Sequence, residues 1–564
     1  ILLPTLLTSP VDTEALAALA PVAGSALYKR LAVIINTLVN AESEAIDEVM
    51  LSVEDDGVHT LMQIIMGLLK DEDTKRRVFI FSRLAGFFAN TELDYSMYLE
   101  DMVTRLILSL ADPSPDVVKG AFEALSALVK RQPKEVLEKL VKPAKQTLDL
   151  CIDIPAFSLP KGPNCILPIF LHGLMYGNHK EEAALGIADI IDKTPAENLR
   201  PFSTSITGPL IRVIGEKVAS DIKAAILVAL NNLLLKIPQF LRPFIPQLQR
   251  TFVRSLSDSN EKLRKRAVVA LGTLIKFQPR VDSLVTELVN GSKTSEYKDS
   301  MLKAMLVVVE QAGKNLSEAS KQAILSVAEQ EMDPVLIGSL AGSLSEEEAE
   351  SILDGILASQ TKFSILAINS FLKYSPDHVK NNAGVAEFVV GCANSDNAYM
   401  SDNATIAIGK LLLLGVESKE LVDQLALNAV APKSSSPDTR RLSLVVLRTV
   451  ARHKGITDLD TVVPSIFACV RDPIIPIKLA AEKAYLEVFD MVNGSAKFDG
   501  WFKNENLTTV TGTTIAARSI GDYTKRVATR LAGVERERIE AGGDEETLFS
   551  DRIEDENEIW QVGI

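Results

Sequence analysis

Cys165, His172 and His179 stand seven residues apart in CILPIFLHGLMYGNH, a spacing that puts a thiol and two imidazoles on one stripe of a helix. Thiolate and imidazole are the common ligands of zinc, so this is the first place to look for a metal. Zinc needs three or four converging donors, and the short spacings that supply them are missing here. The other histidines, His59, His378 and His453, lie far away in the chain. No GxSxG, HExxH or GxxxxGK[ST] occurs, and nothing pairs the plentiful carboxylates across a cleft. The expectation is a chain with no catalytic residue, no metal and no cofactor, and so not an enzyme.

Two basic clusters offer a second chemistry. KRRVFIFSR (75–83) interleaves cations with aromatics, which on a single-strand binder would supply phosphate contacts and stacking. KLRKR (262–266) sits at a helix start, where cations oppose the helix dipole; a ligand or an acidic neighbour would offset that cost. The plainer reading buries positions 78, 79, 81 and 84, leaves Lys75, Arg76 and Arg83 at the surface, and makes KLRKR a solvated face. The charge balance agrees. Of the formal −14, residues 535–558 supply −8, from eleven Asp/Glu against three Arg. The rest is mildly acidic, so direct nucleic-acid binding is not expected.

The elements that carry these residues are legible as a repeat. LADPSPDVVKGAFEALSALVK (110–130), LSDSNEKLRKRAVVALGTLIK (256–276) and VRDPIIPIKLAAEKAYLEVFD (470–490) align on Asp112, Asp258 and Asp472. Five residues on comes Val117, Leu263 or Ile477. Nine on is Ala121, Ala267 or Ala481, and twelve on is Ala124, Ala270 or Ala484. Sixteen on is Leu128, Leu274 or Val488. Such spacings keep one helix face apolar, with alanines where a second helix approaches closely. The aspartate is expected to cap the helix through a first-turn N–H. This pattern resembles the second helix of a HEAT repeat, with its hairpin partner upstream in YLEDMVTRLILSL and FIPQLQRTFVRSL. Weaker copies are MSDNATIAIGKLLL, SDIKAAILVALNNLLL and DTKRRVFIFSRLAGFF. The fold class expected is all-α, a HEAT/armadillo-like α-solenoid of stacked hairpins, each burying its apolar face on its neighbours.

Aromatic content is 5% against 47% hydrophobic, which suits packed helices of Leu, Ile, Val and Ala. The four cysteines form no CxxC pair and read as reduced thiols in a cytosolic setting, which makes the Asn-X-Ser/Thr matches chance ones. No apolar run approaches the roughly 20 residues of a membrane span. CIDIPAFSLPKGPNC (151–165) reads as an extended loop between repeats, and APKSSSPD (431–438) as another. RSIGDYTKRVATRLAGV reads as a last helix before a solvated acidic tail, with packed roles for Trp501 and Trp560. The chain starts at Ile1 in mid-pattern and is expected to belong to something longer.

EEAALGIADIIDKTPAENLRPFSTSITGPLIRVIGEKV (181–218) and LLLKIPQFLRPFIPQLQRTFVRSLSD (233–258) closely resemble the general-control translational activator family, at its C-terminal end. These are very large HEAT-repeat activators of the starvation-responsive kinase of initiation factor two alpha. The resemblance implies a cytoplasmic, non-enzymatic adaptor that docks the kinase's RWD domain, for which other RWD-domain proteins compete. It also implies that the full-length protein associates with stalled ribosomes. The family's elongation-factor-three-like segment is not in this sequence. The docking segment maps to roughly residues 5–380, within an array 1–380, with further repeats 381–495 and a C-terminal segment 496–564. Within it the family points to the arginine of GPLIRVIGE, Arg212. Leu210, Ile211, Ile214 and Val218 would share one helix face, with Arg212 projecting beside or opposite it. Phe244, Arg250 and Arg254, on the next repeat, could widen the patch, although Phe244 also reads as core. A rival reading is a transport-receptor-like HEAT scaffold; another is a secondary RNA or ribosome contact.

Overall fold

The computed structural model describes residues 5–6, 8, 11–278, 280–380, 382–431, 435–453, 459–492, 507–508, 514–515, 520–540 and 557–561. Helices fill nearly all of it; a two-residue antiparallel pairing, Leu507–Thr508 with Thr514–Ile515, is the exception. The chain divides into two compact units. One comprises residues 1–279 with 295–300, and the other 280–294 with 301–564.

In the first unit, second helices stack in chain order. Thr74–Asn90 packs on Pro115–Arg131, and Lys180–Lys193 on Ser220–Lys236, which packs on Glu261–Ile275. Each is backed by its hairpin partner: Val58–Leu68, Leu99–Ser109, Leu167–Tyr176, Ser203–Ile214 or Ile245–Ser255. The second unit repeats the scheme. Pro334–Ala341, Lys362–Tyr374, Ala398–Leu413, Pro437–Arg452 and Ile475–Val492 form one layer, and Ala383–Ala393, Lys419–Val430 and Val462–Cys469 the other. Two layers of antiparallel hairpins, each touching its neighbours in sequence, make the α-solenoid of a HEAT array.

The repeat register holds residue by residue. Val117, Leu263 and Ile477 are buried, as are Ala121, Ala124, Ala267, Ala270, Ala481 and Ala484, and so are Leu128, Leu274 and Val488. Burying one such aliphatic side chain contributes about 1.5–3 kcal/mol, so the interface between repeats rests on this stripe.

The aspartates differ from expectation. The N-caps of the first two helices are Ser114 and Asn260, and the latter's side chain accepts from Leu263 N. Each aspartate instead accepts from the N–H two residues on: Ser114 at 2.9 Å, Asn260 at 3.0 Å and Ile474 at 2.9 Å. That leaves the rest of the carboxylate for the preceding repeat. Arg77 Nη2 reaches Asp112 at 3.4 Å, Lys223 Nζ reaches Asp258 at 3.4 Å, and Arg440 Nη2 reaches Asp472 at 2.5 Å. A short Asx turn therefore does two jobs, fixing the loop and holding a cation from the repeat before.

Residues 151–165 also differ. They fold into two 3-10 turns, Pro155–Ser158 and Gly162–Cys165, with Phe157 and Cys165 buried against the Pro115–Arg131 helix. A Cβ on Gly162 would lie 2.3 Å from the Ala156 carbonyl, so the turns close only around glycine. Pro437 opens its helix behind the Ser436 cap, and the last long helix spans Ile520–Glu540. Trp501 and residues 541–556 of the acidic tail lie outside the described residues, but Asn557–Gln561 is described. It is a helical turn seated on the second unit with Ile559 buried and Trp560 half-buried.

Candidate partner-docking face of the first unit

Arg212 lies in the last turn of Ser203–Ile214, whose buried side is Ile206, Thr207, Leu210, Val213 and Ile214. Ile211 is only half-buried. Val218 does not share the face, because the helix stops at Ile214 and Gly215 takes the C-cap. Val213 fills that place instead. Arg212 points away from the stripe, with its side chain 66% exposed. Its Nε lies 3.7 Å from Glu216 Oε1, one turn on, and Lys180 Nζ approaches the other oxygen of Glu216 at 3.8 Å. An exposed pair at that distance contributes little to stability, so the guanidinium remains available to a second carboxylate.

The next hairpin brings the other candidates alongside, since Ser203–Ile214 packs on Ile245–Ser255. Arg250 and Arg254 are exposed on that helix. Phe244 is half-buried and ends the 3-10 turn Arg242–Phe244 just before it; the aromatic that reaches the core is Phe252. Between the two helices a cavity of about 340 Å³ is lined by Ile214, Gly215, Glu216, Lys223, Arg254 and Asp258, among others. Burial alone would push the Asp258 carboxyl up. Hydrogen bonds from Asn260 N–H, Ser220 and Lys223 outweigh it and hold the group below the usual carboxylate range. Asp258 therefore stays ionised and occupied, which leaves Arg212 and Arg254 facing outward with mixed polarity between them.

Several cations of the basic clusters have partners within the fold. Arg264 donates to the Asp258 and Ser259 carbonyls at 2.8 and 2.9 Å and lies over the Tyr297 ring at 4.2 Å. Lys265 pairs with Glu261 at 2.7 Å. Arg76 binds Asp71 at 2.8 Å, and Arg83 lies 3.4 Å from both Glu44 and Asp47. The metal candidates are not gathered. Cys165 is buried, His172 stacks on Tyr176 at 5.2 Å, and His179 lies 4.0 Å from Glu182. Among the described residues no group of three His, Cys, Asp or Glu could hold a metal ion, and no helix is long and apolar enough to cross a membrane.

The family model "Stalled ribosome sensor GCN1-like, HEAT repeats" matches residues 1–161, and "GCN1-like, C-terminal HEAT repeats" matches 362–500. The eIF-2-alpha kinase activator GCN1 of Saccharomyces cerevisiae is 52% identical, over 100% of this chain and 24% of the relative. The chain belongs to the GCN1 family. The stalled ribosome sensor GCN1 of Mus musculus is 32% identical over 86% of this chain and 18% of its own length. The chain thus spans about a quarter or less of these GCN1 relatives. The solved structure of yeast importin-beta (Kap95p) aligns with a TM-score of 0.51 at 12% identity, over 87% of this chain and 69% of that one. That likeness concerns the fold alone.

Within this GCN1-family chain, sequence reasoning missed the way Arg-Pro-Phe recurs at 200–202 and 242–244. Each copy is a 3-10 turn leading into a first-layer helix, and Arg200 lies over the Phe240 ring at 4.6 Å. The signal was the tripeptide itself, repeated 42 residues apart, the length of one hairpin.

Proposed function

We propose that this chain is a docking scaffold that binds the RWD domain of an initiation-factor-two-alpha kinase through the face around Arg212, and makes and breaks no bond itself. Its place in the whole protein would be to hold the kinase where starvation or stalled ribosomes can activate it, in the cytoplasm, with other RWD-domain proteins competing for the same face. Support comes first from family membership, since relatives carry the names kinase activator and stalled ribosome sensor. The observation that carries the site is the exposed guanidinium of Arg212, held to its own chain by a single loose contact at 3.7 Å, with Arg250 and Arg254 also exposed on the helix packed against it. A planar cation so presented suits bidentate recognition of a carboxylate on the partner.

Titration calorimetry of the chain against the isolated RWD domain tests this, with wild type beside Arg212→Ala. The expected loss is at least tenfold in affinity, with the helical melting transition unchanged. Equal binding by both would remove Arg212 from the site while keeping the scaffold. Absence of binding by wild type would remove the RWD reading altogether.

A further inference from the structure

The end of the acidic tail sits in a groove of the second unit that is built to hold a peptide. Three contacts seat it. Ile559 is 1% exposed and enters between the Ala398–Leu413 and Pro437–Arg452 helices. Gly409 makes the room: a Cβ there would lie 3.1 Å from Ile559 Cγ2 and 3.1 Å from Val446 Cγ1. Arg441 clamps Glu558, with Nη2 2.5 Å from Oε1 and Nη1 3.4 Å from Oε2. Lys410 Nζ donates to the Gln561 carbonyl at 2.5 Å.

Lys410 is the unusual part of this groove. Its side chain is wholly buried, yet its hydrogen bonds go to amide and peptide oxygens rather than to a carboxylate. Asn369 supplies two acceptors, the backbone O at 3.2 Å and Oδ1 at 2.9 Å. An ammonium has three N–H donors, and the third is met by the tail's carbonyl. Burial, and Lys373 nearby, pull the Lys410 group well below the ordinary lysine range. Keeping its charge in this setting depends on close acceptors, and the groove therefore favours a peptide carbonyl at this point. Arg441 beside it demands an acid three residues earlier, and the space over Gly409 demands a branched aliphatic side chain between them.

We infer that the groove lined by Lys410, Gly409, Val446 and Arg441 is a recognition site for short acidic–aliphatic peptides, kept closed in cis by residues 558–561. The resident turn is small: among the described residues its contacts include one buried aliphatic side chain, an ion pair and a carbonyl. Sixteen residues separate it from the Ile520–Glu540 helix. Because the turn belongs to the same chain it meets the groove intramolecularly, so it blocks the groove without binding tightly. A peptide of the same chemistry in trans enters when the turn leaves. This inference concerns the second unit and stands or falls apart from the RWD reading.

The probe is a fluorescein-labelled synthetic peptide of residues 551–564, read by anisotropy against the full chain. Ile559→Asp in the chain unseats its own turn and leaves the groove intact. The peptide is expected to bind that variant at least tenfold more tightly than wild type. Adding Arg441→Glu to the chain should cost at least tenfold, and a peptide carrying Glu558→Arg should restore it. No binding to Ile559→Asp, or binding indifferent to Arg441, overturns the site. Hydrogen exchange on the unaltered chain provides the second measurement, independent of whether any variant folds. The Gln561 amide, which donates to Asn557 at 3.1 Å, should exchange far faster than amides of the two groove helices. Exchange only with global unfolding would make the turn an integral part of the unit and end the proposal.

Discussion

At the scale of single residues, the four cysteines show how much environment decides. All are free and buried. Burial pushes the Cys165 thiol up to about 12, and Cys392 and Cys469 up to about 11, while Cys151 is raised as well. At pH 8 the thiolate, the reactive form, is then about one part in a thousand or fewer for the three highest. Iodoacetamide at pH 8 should leave the native chain unlabelled and modify all four cysteines in denaturant; mass spectrometry reads the difference. Reduced thiols were legible from spacing alone, since four scattered cysteines form no motif. Arg212 was singled out only through resemblance, because an arginine beside an apolar stripe looks the same whether it binds a partner or merely faces water. Lys410 was not legible at all. In IAIGKLLLL it reads as one cation tolerated on a helix, and only the fold shows that its third donor meets a carbonyl 151 residues away.

At the scale of elements, the Asx turns between repeats make the clearest prediction. Asp258 takes Ser220 Oγ at 2.8 Å and Lys223 Nζ at 3.4 Å as well as its own loop. Asp258→Asn removes the charge from all three hydrogen bonds. After allowance for its partial exposure the loss should be about 1 kcal/mol at neutral pH, measured by urea denaturation. The sign with pH follows from the lowered carboxyl. The folded form holds the proton less well than the unfolded form, so this stability is complete above the ordinary value of about 3.9. It is lost as pH falls through the lower folded value. Wild type and variant should therefore differ fully above about pH 5, and the difference should begin to shrink only below about pH 4 and vanish below the lowered folded value. The apolar register was readable because 3.6-residue periodicity repeats at Ala121, Ala267 and Ala481. The aspartate's true role was hidden, since a carboxylate two residues before a helix has the same sequence signature whether it caps the helix or ties the loop to the preceding repeat.

For the molecule as a whole, stacked repeats unfold differently from a single core. Each hairpin contacts its neighbours in sequence, so cooperativity extends along a stack rather than through one interior. Urea unfolding of the chain should show more than one step. Ala267→Leu, which overpacks the alanine seam of the first unit, should move one step by about 1–3 kcal/mol. Phe371→Ala, which empties a wholly buried site in the second, should move another by about 3–5 kcal/mol. A single transition shifted by both would contradict this. The all-α class was open to sequence reasoning at this scale because composition and repeat agree. The division near residues 280–300 was not, since the repeat pattern runs on through it and the expected docking segment, 5–380, takes in the first unit and part of the second.

The carboxylate at each turn is one of two places where neighbouring repeats are tied by polar bonds. Arg77, Lys223 and Arg440 join the hairpins along that edge; at the far end of the same helices Arg131 donates to the Ala89 carbonyl at 2.9 Å and Lys236 to the Ile191 and Thr194 carbonyls at 2.9 and 2.8 Å, with alanine and leucine surfaces between. Such a stack is stitched along both margins, so each leaf is held in its place at two edges and not by its apolar faces alone.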